Sequence, residues 1–368
     1  MRIAIVGTGT YALPPRFYGG EVFFYCLSRG LHELGHHVSL YGAPGSLPPD
    51  PDCRECRLRY IPGGHEDIAQ DEYLPATWHY DEILAHDYVL DCSHSHFIAE
   101  IAGWYQREHQ PKIVVVPNGV ASEYPRCGMY NVVVGSKKWK ELMLYGRSQF
   151  YGTAYAKQYG ETVRPVPEED FLGIVQWAVD CNFYTPGEAL PEDYLLFLGR
   201  ATPYKGLAMA LEVAARAKAR LKIAPALQNP AHRKEFEDHK PLIEQAVKDG
   251  AQVEVVQLPM TSQHHVAKRE LYRRAKALLF LVQAHEPFGL TLVEGLACGT
   301  PAIGSNLGAL PEIINQGQTG FLCRNVDEMV QAVAEVGALN RKAIRDDSET
   351  RWHYTRAAKD YLALLEGR

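Results

Sequence analysis

The chain has 368 residues, 46% of them hydrophobic, more than one core usually organises, so two domains are expected. Its 44 acidic and 38 basic side chains leave a formal charge of −6, which argues against general nucleic-acid affinity and requires any anionic ligand to be held by local cations. No apolar run approaches the roughly 18 residues of a membrane span, and MRIAIV enters a strand at once where a leader would carry basic residues, so a cytoplasmic protein is expected.

Arg2 to Val6 alternates as a strand and leads into GTGTYA, which matches the dinucleotide pattern GxGxxA. The pattern also requires an acid at the end of the second strand, and His37 to Tyr41 ends in Tyr41 and Gly42, which argues against a nicotinamide cofactor. Between them the loop runs on to Gly19 and Gly20, and Phe23, Cys26, Leu27, Gly30, Leu31 and Leu34 give the stripe of a helix. Asp50 and Asp52 spell DxD and Cys53 and Cys56 spell CxxC, yet the prolines around the first and the lack of a second pair for the other favour a turn over a metal site. The eight cysteines are scattered and should be mostly reduced.

Tyr88 to Cys92 is another strand, overlapped at its end by DCSHSH with His94 and His96. Ile113 to Val116, Asn131 to Val134 and Gly173 to Gln176 continue the β/α alternation. Lys137, Lys138 and Lys140 around Trp139 fit either a membrane-facing or a solvated helix face, and membrane contact is not favoured without a longer amphipathic run. WAVDCNFYTPGEALPED reads as a linker, after which YLLFLGR opens a second set of strands at Leu221 to Ala224, Val253 to Val256, Ala277 to Val282 and Pro301 to Gly304. Arg200 ends the first of these strands, and Lys205 is expected in the first turn of the next helix, where cations are usually disfavoured. The two are expected to converge on a diphosphate.

In AHEPFGLTLVEGLACGTPAIG, Ala284 to Gly304, a strand gives way to a loop and then to a helix over Leu290 to Ala297. The amides of Gly289 to Leu292 should point out of that helix start toward an anion. Glu286 and Glu294 flank it, which suits a ligand anionic in the middle and hydroxyl-rich at both ends, as a nucleoside-diphosphate sugar is. A second reading of Glu294 stands beside this one: Thr291 and Glu294 have the TxxE spacing of a capping box, which needs no ligand.

Two glutamates eight positions apart in this EPFGLxxxE setting, followed by CGTP, preceded by ALLFLV and followed by GALPEIINQGQTGFL, resemble the retaining glycosyltransferases of family 4. The resemblance implies an α/β chain of GT-B type, with two Rossmann-like doubly wound domains facing a cleft and a C-terminal helix crossing back to the first. The domains would be 1–180 with 350–368, on the acceptor side, and 183–349, on the nucleotide-sugar side. It further implies that Glu286 contacts hydroxyls of the donor sugar and Glu294 the ribose, with Phe288, Gly289, Leu290 and Thr291 as the rest of the donor loop. GRATPYKG resembles the family's GRxxxxKG, making Arg200 and Lys205 the diphosphate clamp, and Gly19 and Gly20 resemble its first phosphate-approaching loop. His96, with His94 as second choice, would point at the reacting sugar. Base contacts would come from Gln257 to Met260, whose QLPM departs from the usual glycine-containing sequence and leaves the base open.

The activity so implied is transfer of a hexosyl group from a nucleoside-diphosphate sugar, UDP-sugar favoured, to a hydroxyl of a small-molecule, saccharide or lipid acceptor, with retention, no metal and no cofactor. A nucleotide-sugar epimerase on the same fold, or a silent nucleotide-sugar-binding protein, would use much of the same donor site. The oligomeric state is left open.

Overall fold

A computed structural model describes residues 1–7, 19–43, 46, 57–60, 79–93, 96, 98–99, 112–117, 131–145, 165–227, 230–259, 261 and 263–367. Most of GTGTYA, the DxD and CxxC pairs, His94 and Met260 lie outside the described residues, as does much of the 146–171 stretch. The chain divides into two compact units, Met1–Ala178 with Tyr354–Arg368, and Val179–His353.

The first unit is built on a parallel sheet of seven strands, β1 (Arg2–Val6), β2 (His37–Gly42), β3 (Arg57–Tyr60), β4 (Tyr88–Asp91), β5 (Lys112–Val115), β6 (Val132–Val134) and β7 (Phe171–Ile174), in the order β3-β2-β1-β4-β5-β6-β7. Purely parallel sheets are covered on both faces, which is why IAIV of β1 and VVV of β6 are apolar without alternation and fully buried. The helix Gly19–Glu33 buries Phe23, Phe24, Leu27 and Leu31. The last helix, Tyr354–Leu365, packs on it: Phe23 and Tyr361 rings lie 6.3 Å apart, and Tyr354 Oη donates to Glu33 Oε1 at 2.7 Å. Its buried face is made of Tyr354, Ala357, Ala358, Tyr361 and Leu365, while Leu362 is half-buried.

The second unit carries six parallel strands, β8 (Tyr194–Gly199), β9 (Arg220–Pro225), β10 (Gln252–Val255), β11 (Ala277–Phe280), β12 (Ala302–Ser305) and β13 (Gly320–Cys323), in the order β10-β9-β8-β11-β12-β13. The chain winds outward from β8 to β10 and then returns to the other side of β8 at β11. Ligands of such sheets bind where the winding reverses, beyond the strands' C-terminal ends, here the loops after β8 and β11. A core of Leu195, Phe197, Leu207, Leu211, Leu221, Ile223, Leu279 and Ile303 holds the sheet under its helices.

Two strands have no counterpart in the sequence reading, β3 and β13, and both are edge strands. An edge strand is short and pairs on one side, so RLRY and GFLC carry little apolar run. β7 begins two residues earlier than expected. Lys138 pairs with Glu141 at 2.8 Å, Lys140 pairs with Glu168, and Trp139 is fully buried, so this tryptophan is a core side chain of the helix Lys137–Tyr145. Among the described residues no helix is long and apolar enough to cross a membrane.

Candidate functional site

β8 ends at Gly199, and Arg200 follows at its C-terminal edge. The next residues do not enter a helix directly. Pro203–Lys205 form a 3-10 turn, and the helix Leu207–Ala217 starts only after Gly206. This corrects the expectation that Lys205 lies in the first helical turn. The physical reason is Gly206, held at φ +77, where a Cβ would sit 1.9 Å from Leu281 O. Only glycine lets the turn press onto the exit of β11, and Tyr204 O accepts Gln283 N–H there at 2.7 Å.

Seated in this way, Lys205 Nζ lies 2.6 Å from Glu286 Oε2, both side chains mostly buried. Burial pushes the Lys205 ammonium below its usual range; Glu286 pulls it back up and Arg200 pushes it further down. The two cations are therefore close enough to repel. The Tyr204 ring lies beside both, its centroid 5.4 Å from the Arg200 guanidinium carbon and 5.4 Å from Lys205 Nζ. Tyr204 Oη accepts a hydrogen bond from Arg200, and burial raises the phenol to about 12, so it stays protonated. The helix Pro230–Glu237, in the βα connection after β9, brings His232 and Glu235 near: burial, then the Arg200 charge, lowers His232, and burial raises Glu235 against the pull of Arg200.

Glu286 stands on the loop after β11. Its backbone is braced by Gly308, at φ +63, whose Cβ would fall 2.4 Å from Glu286 N; Ala309 N–H donates to Glu286 O at 2.9 Å. The helix Leu290–Ala297 begins where expected, capped by Gly289. Leu292 N–H, counted among the outward amides, is instead bonded to Gly289 O at 3.0 Å, because the first turn tightens around its cap. Leu290 and Thr291 are left as the first amides without an acceptor in a preceding turn. The Phe288 ring, expected in the donor loop, is 1% exposed and packs edge-on against Trp352 at 5.7 Å, so its ring belongs to the core of this unit.

No side-chain cap is present on this helix, so the capping box offered by Thr291 and Glu294 does not form. Glu294 is 2% exposed and takes Lys268 Nζ at 2.6 Å and Tyr272 Oη at 2.9 Å. Neither partner was singled out from the sequence. KRELYRRA does place Lys268 and Tyr272 four apart on a helix, but which face a helix turns inward is not written in that spacing.

The second unit thus brings Arg200, Lys205, Glu286 and the Gly289 to Thr291 loop to the reversal point of one sheet, with Glu294 on the following helix. Gly19, Gly20 and His96 belong to the first unit. The helix Gly19–Glu33 includes both glycines in its first turn, where the expectation had them in the preceding loop; amides there need no intrahelical acceptor, and Glu21 suits the positive helix end. His96 is fully buried at φ +50, with Nδ1 3.9 Å from Asp91 Oδ1, and Asp91 in turn accepts from Ser93 and from Ala99 N–H. Of the base-contact segment, Pro259 O lies 3.2 Å from His264 Nδ1.

Residues 184–359 match the family model described as glycosyl transferases group 1. The chain is 50% identical to N-acetyl-alpha-D-glucosaminyl L-malate synthase of Bacillus anthracis over 46 residues, 12% of each chain. It is 25% identical to an uncharacterized glycosyltransferase of Methanocaldococcus jannaschii, across 91% of this chain and 89% of that one. In fold it is similar to the HepE protein of Anabaena solved with UDP and glucose, with a TM-score of 0.70 over 100% of both chains at 12% identity. The paired glutamates and the strand-end cations all fall within the matched residues, so the second unit carries a domain of the glycosyl transferases group 1 family, and the two doubly wound sheets give the chain the GT-B type of α/β fold.

Proposed function

We propose that the chain is a retaining glycosyltransferase that moves a hexosyl group from a nucleoside-diphosphate sugar, UDP-sugar first among candidates, to a hydroxyl acceptor without a metal. The observation that carries this reading is the direct bond between Lys205 and Glu286 at the sheet's reversal point, beside Arg200. A cation that is buried, repelled by its neighbour and held by one carboxylate gains most from a dianion. Such a site suits a departing diphosphate, with charge-assisted bonds worth roughly 1.5–3 kcal/mol each and a helix terminus adding about 0.3–1 kcal/mol.

On this reading Arg200 and Lys205 stabilise the leaving diphosphate, the Leu290 and Thr291 amides orient it, Glu286 holds hydroxyls of the sugar, and Glu294 holds the ribose. The acceptor oxygen bonds to the anomeric carbon as the bond to the diphosphate breaks, on the same face, and the acceptor's proton passes to the diphosphate oxygen. The solved relative with UDP and glucose supports the choice of donor class.

The test is to mix the protein with UDP-, ADP- and GDP-sugars and hydroxyl acceptors, with EDTA present, and to follow nucleoside diphosphate release and the anomeric configuration of the product. Release that depends on acceptor, survives chelator and gives a retained anomer is expected. Donor turnover without acceptor would point to an epimerase, and loss of activity with EDTA would end the metal-free scheme.

A further inference from the structure

Glu294 is a carboxylate inside a packed unit, and the groups that meet it are unusually one-sided. Lys268 Nζ and Tyr272 Oη both reach Oε2, at 2.6 Å and 2.9 Å. Lys268 and Tyr272 lie one turn apart on the helix His264–Arg274, on the face turned to the helix Leu290–Ala297. Lys268 is 10% exposed and Tyr272 fully buried. A buried ion pair contributes little net stability, since desolvation offsets most of the attraction, so fastening two helices is a weak reason to place one here. Its geometric effect is larger: two donors on one oxygen fix the rotation of the carboxylate plane and leave Oε1, with two lone pairs, for other donors. His264 adds no competing charge, because burial and then Lys268 push its imidazole down to about 4.

We infer that Lys268 and Tyr272 are positioning residues that anchor Glu294 through Oε2 so that Oε1 accepts the vicinal hydroxyls of a nucleotide ribose. The inference rests on the reading of Glu294 given under the proposed function. It makes this pair the source of discrimination between ribonucleotides and deoxyribonucleotides, a property that a purely structural ion pair would not govern.

The experiment measures dissociation constants of UDP, ADP and GDP and of their 2′-deoxy counterparts by calorimetry, for the full chain and its variants. The wild type should prefer the ribonucleotide it binds best. In Lys268→Met that preference should fall by about tenfold, equivalent to about 1.4 kcal/mol, with little change in affinity for the deoxynucleotide, and Lys268→Arg should restore most of it. A Lys268→Met protein that weakens both nucleotides alike, with the preference kept within about twofold, would overturn the inference. If Lys268→Met does not fold, Tyr272→Phe carries the test, because it deletes a single oxygen; an unchanged preference there has the same consequence. A wild type that binds a nucleoside diphosphate without preferring ribose would instead remove Glu294 from the ribose, and the inference with it. Binding of none of the three would remove the proposed function as well.

Discussion

Lys205 Nζ is bonded to Glu286 Oε2 at 2.6 Å across 81 residues of sequence, which ties the loop after β8 to the loop after β11 at the point where the second sheet reverses its winding. Without ligand, each of these groups is the other's partner, so a donor must either share the pair or part it. The two halves of the pair therefore have separable roles.

Lys205→Ala and Glu286→Ala should each lower turnover by about tenfold or more, at least about 1.4 kcal/mol of transition-state stabilisation. Their effects on a nucleoside diphosphate without sugar should differ. Lys205→Ala removes a phosphate contact and should weaken binding by about tenfold, whereas Glu286→Ala frees the ammonium and should leave affinity unchanged or higher. Calorimetry with both variants checks this, and equal weakening would show that the glutamate does not act on the sugar alone.

Gly308→Ala should damage the protein and the site together. At φ +63 a side chain is strained, and the added methyl would meet Glu286 N at 2.4 Å and Glu286 O at 2.6 Å, backbone atoms that cannot swing aside. A loss of about 2 kcal/mol or more in stability is expected, along with a drop in turnover that persists well below the melting temperature. Normal turnover in the folded variant would show that the Glu286 loop tolerates displacement.

Tyr204 offers a graded test of the cationic pair. Tyr204→Phe keeps the ring beside Arg200 and Lys205 but deletes the acceptor of the Arg200 bond, and should weaken nucleoside diphosphate binding by about twofold to fivefold. Tyr204→Leu removes the ring face as well and should cost about tenfold or more. Titration of both variants with the preferred nucleotide reads the order; a reversed order would show that the ring face does not support the cations.

Acid should expose His264. Its imidazole is 2% exposed, and burial first, then the charge of Lys268 and the neighbouring His265, lower it from 6.5 to about 4, with Pro259 O bonding it and Glu294 opposing the shift. Between those values the unfolded chain binds a proton that the folded chain refuses, so this contribution is complete above 6.5 and is lost as pH falls toward 4. The loss should reach about 1–2 kcal/mol near pH 5, after allowance for screening. Thermal melts of wild type and His264→Gln near pH 5 and pH 7 check this: the acid-side drop should be smaller in the variant.

Much of this architecture is legible along the chain because parallel strands are buried on both faces and therefore announce themselves as apolar runs. IAIV, YLLFLG and ALLF could hardly be anything else, and the helix over Leu290 to Ala297 falls between Gly289 and CGTP as read. The edge strands β3 and β13 escaped because half-paired strands need no such run. Arg200, Lys205, Glu286 and Glu294 were visible as types and spacings, since a loop or helix start constrains which residues are tolerable there.

What only the tertiary structure decided is who touches whom. The turn that seats Lys205 before its helix depends on Gly206 meeting Leu281, the carboxylate of Glu294 is claimed by Lys268 and Tyr272 where a capping box was available, and Phe288 turns into the core against Trp352. Local sequence sets the conformations each segment can adopt, but the burial of one face rather than another is settled by packing among segments far apart in the chain. Positions of charge follow from that packing and from nothing shorter in range.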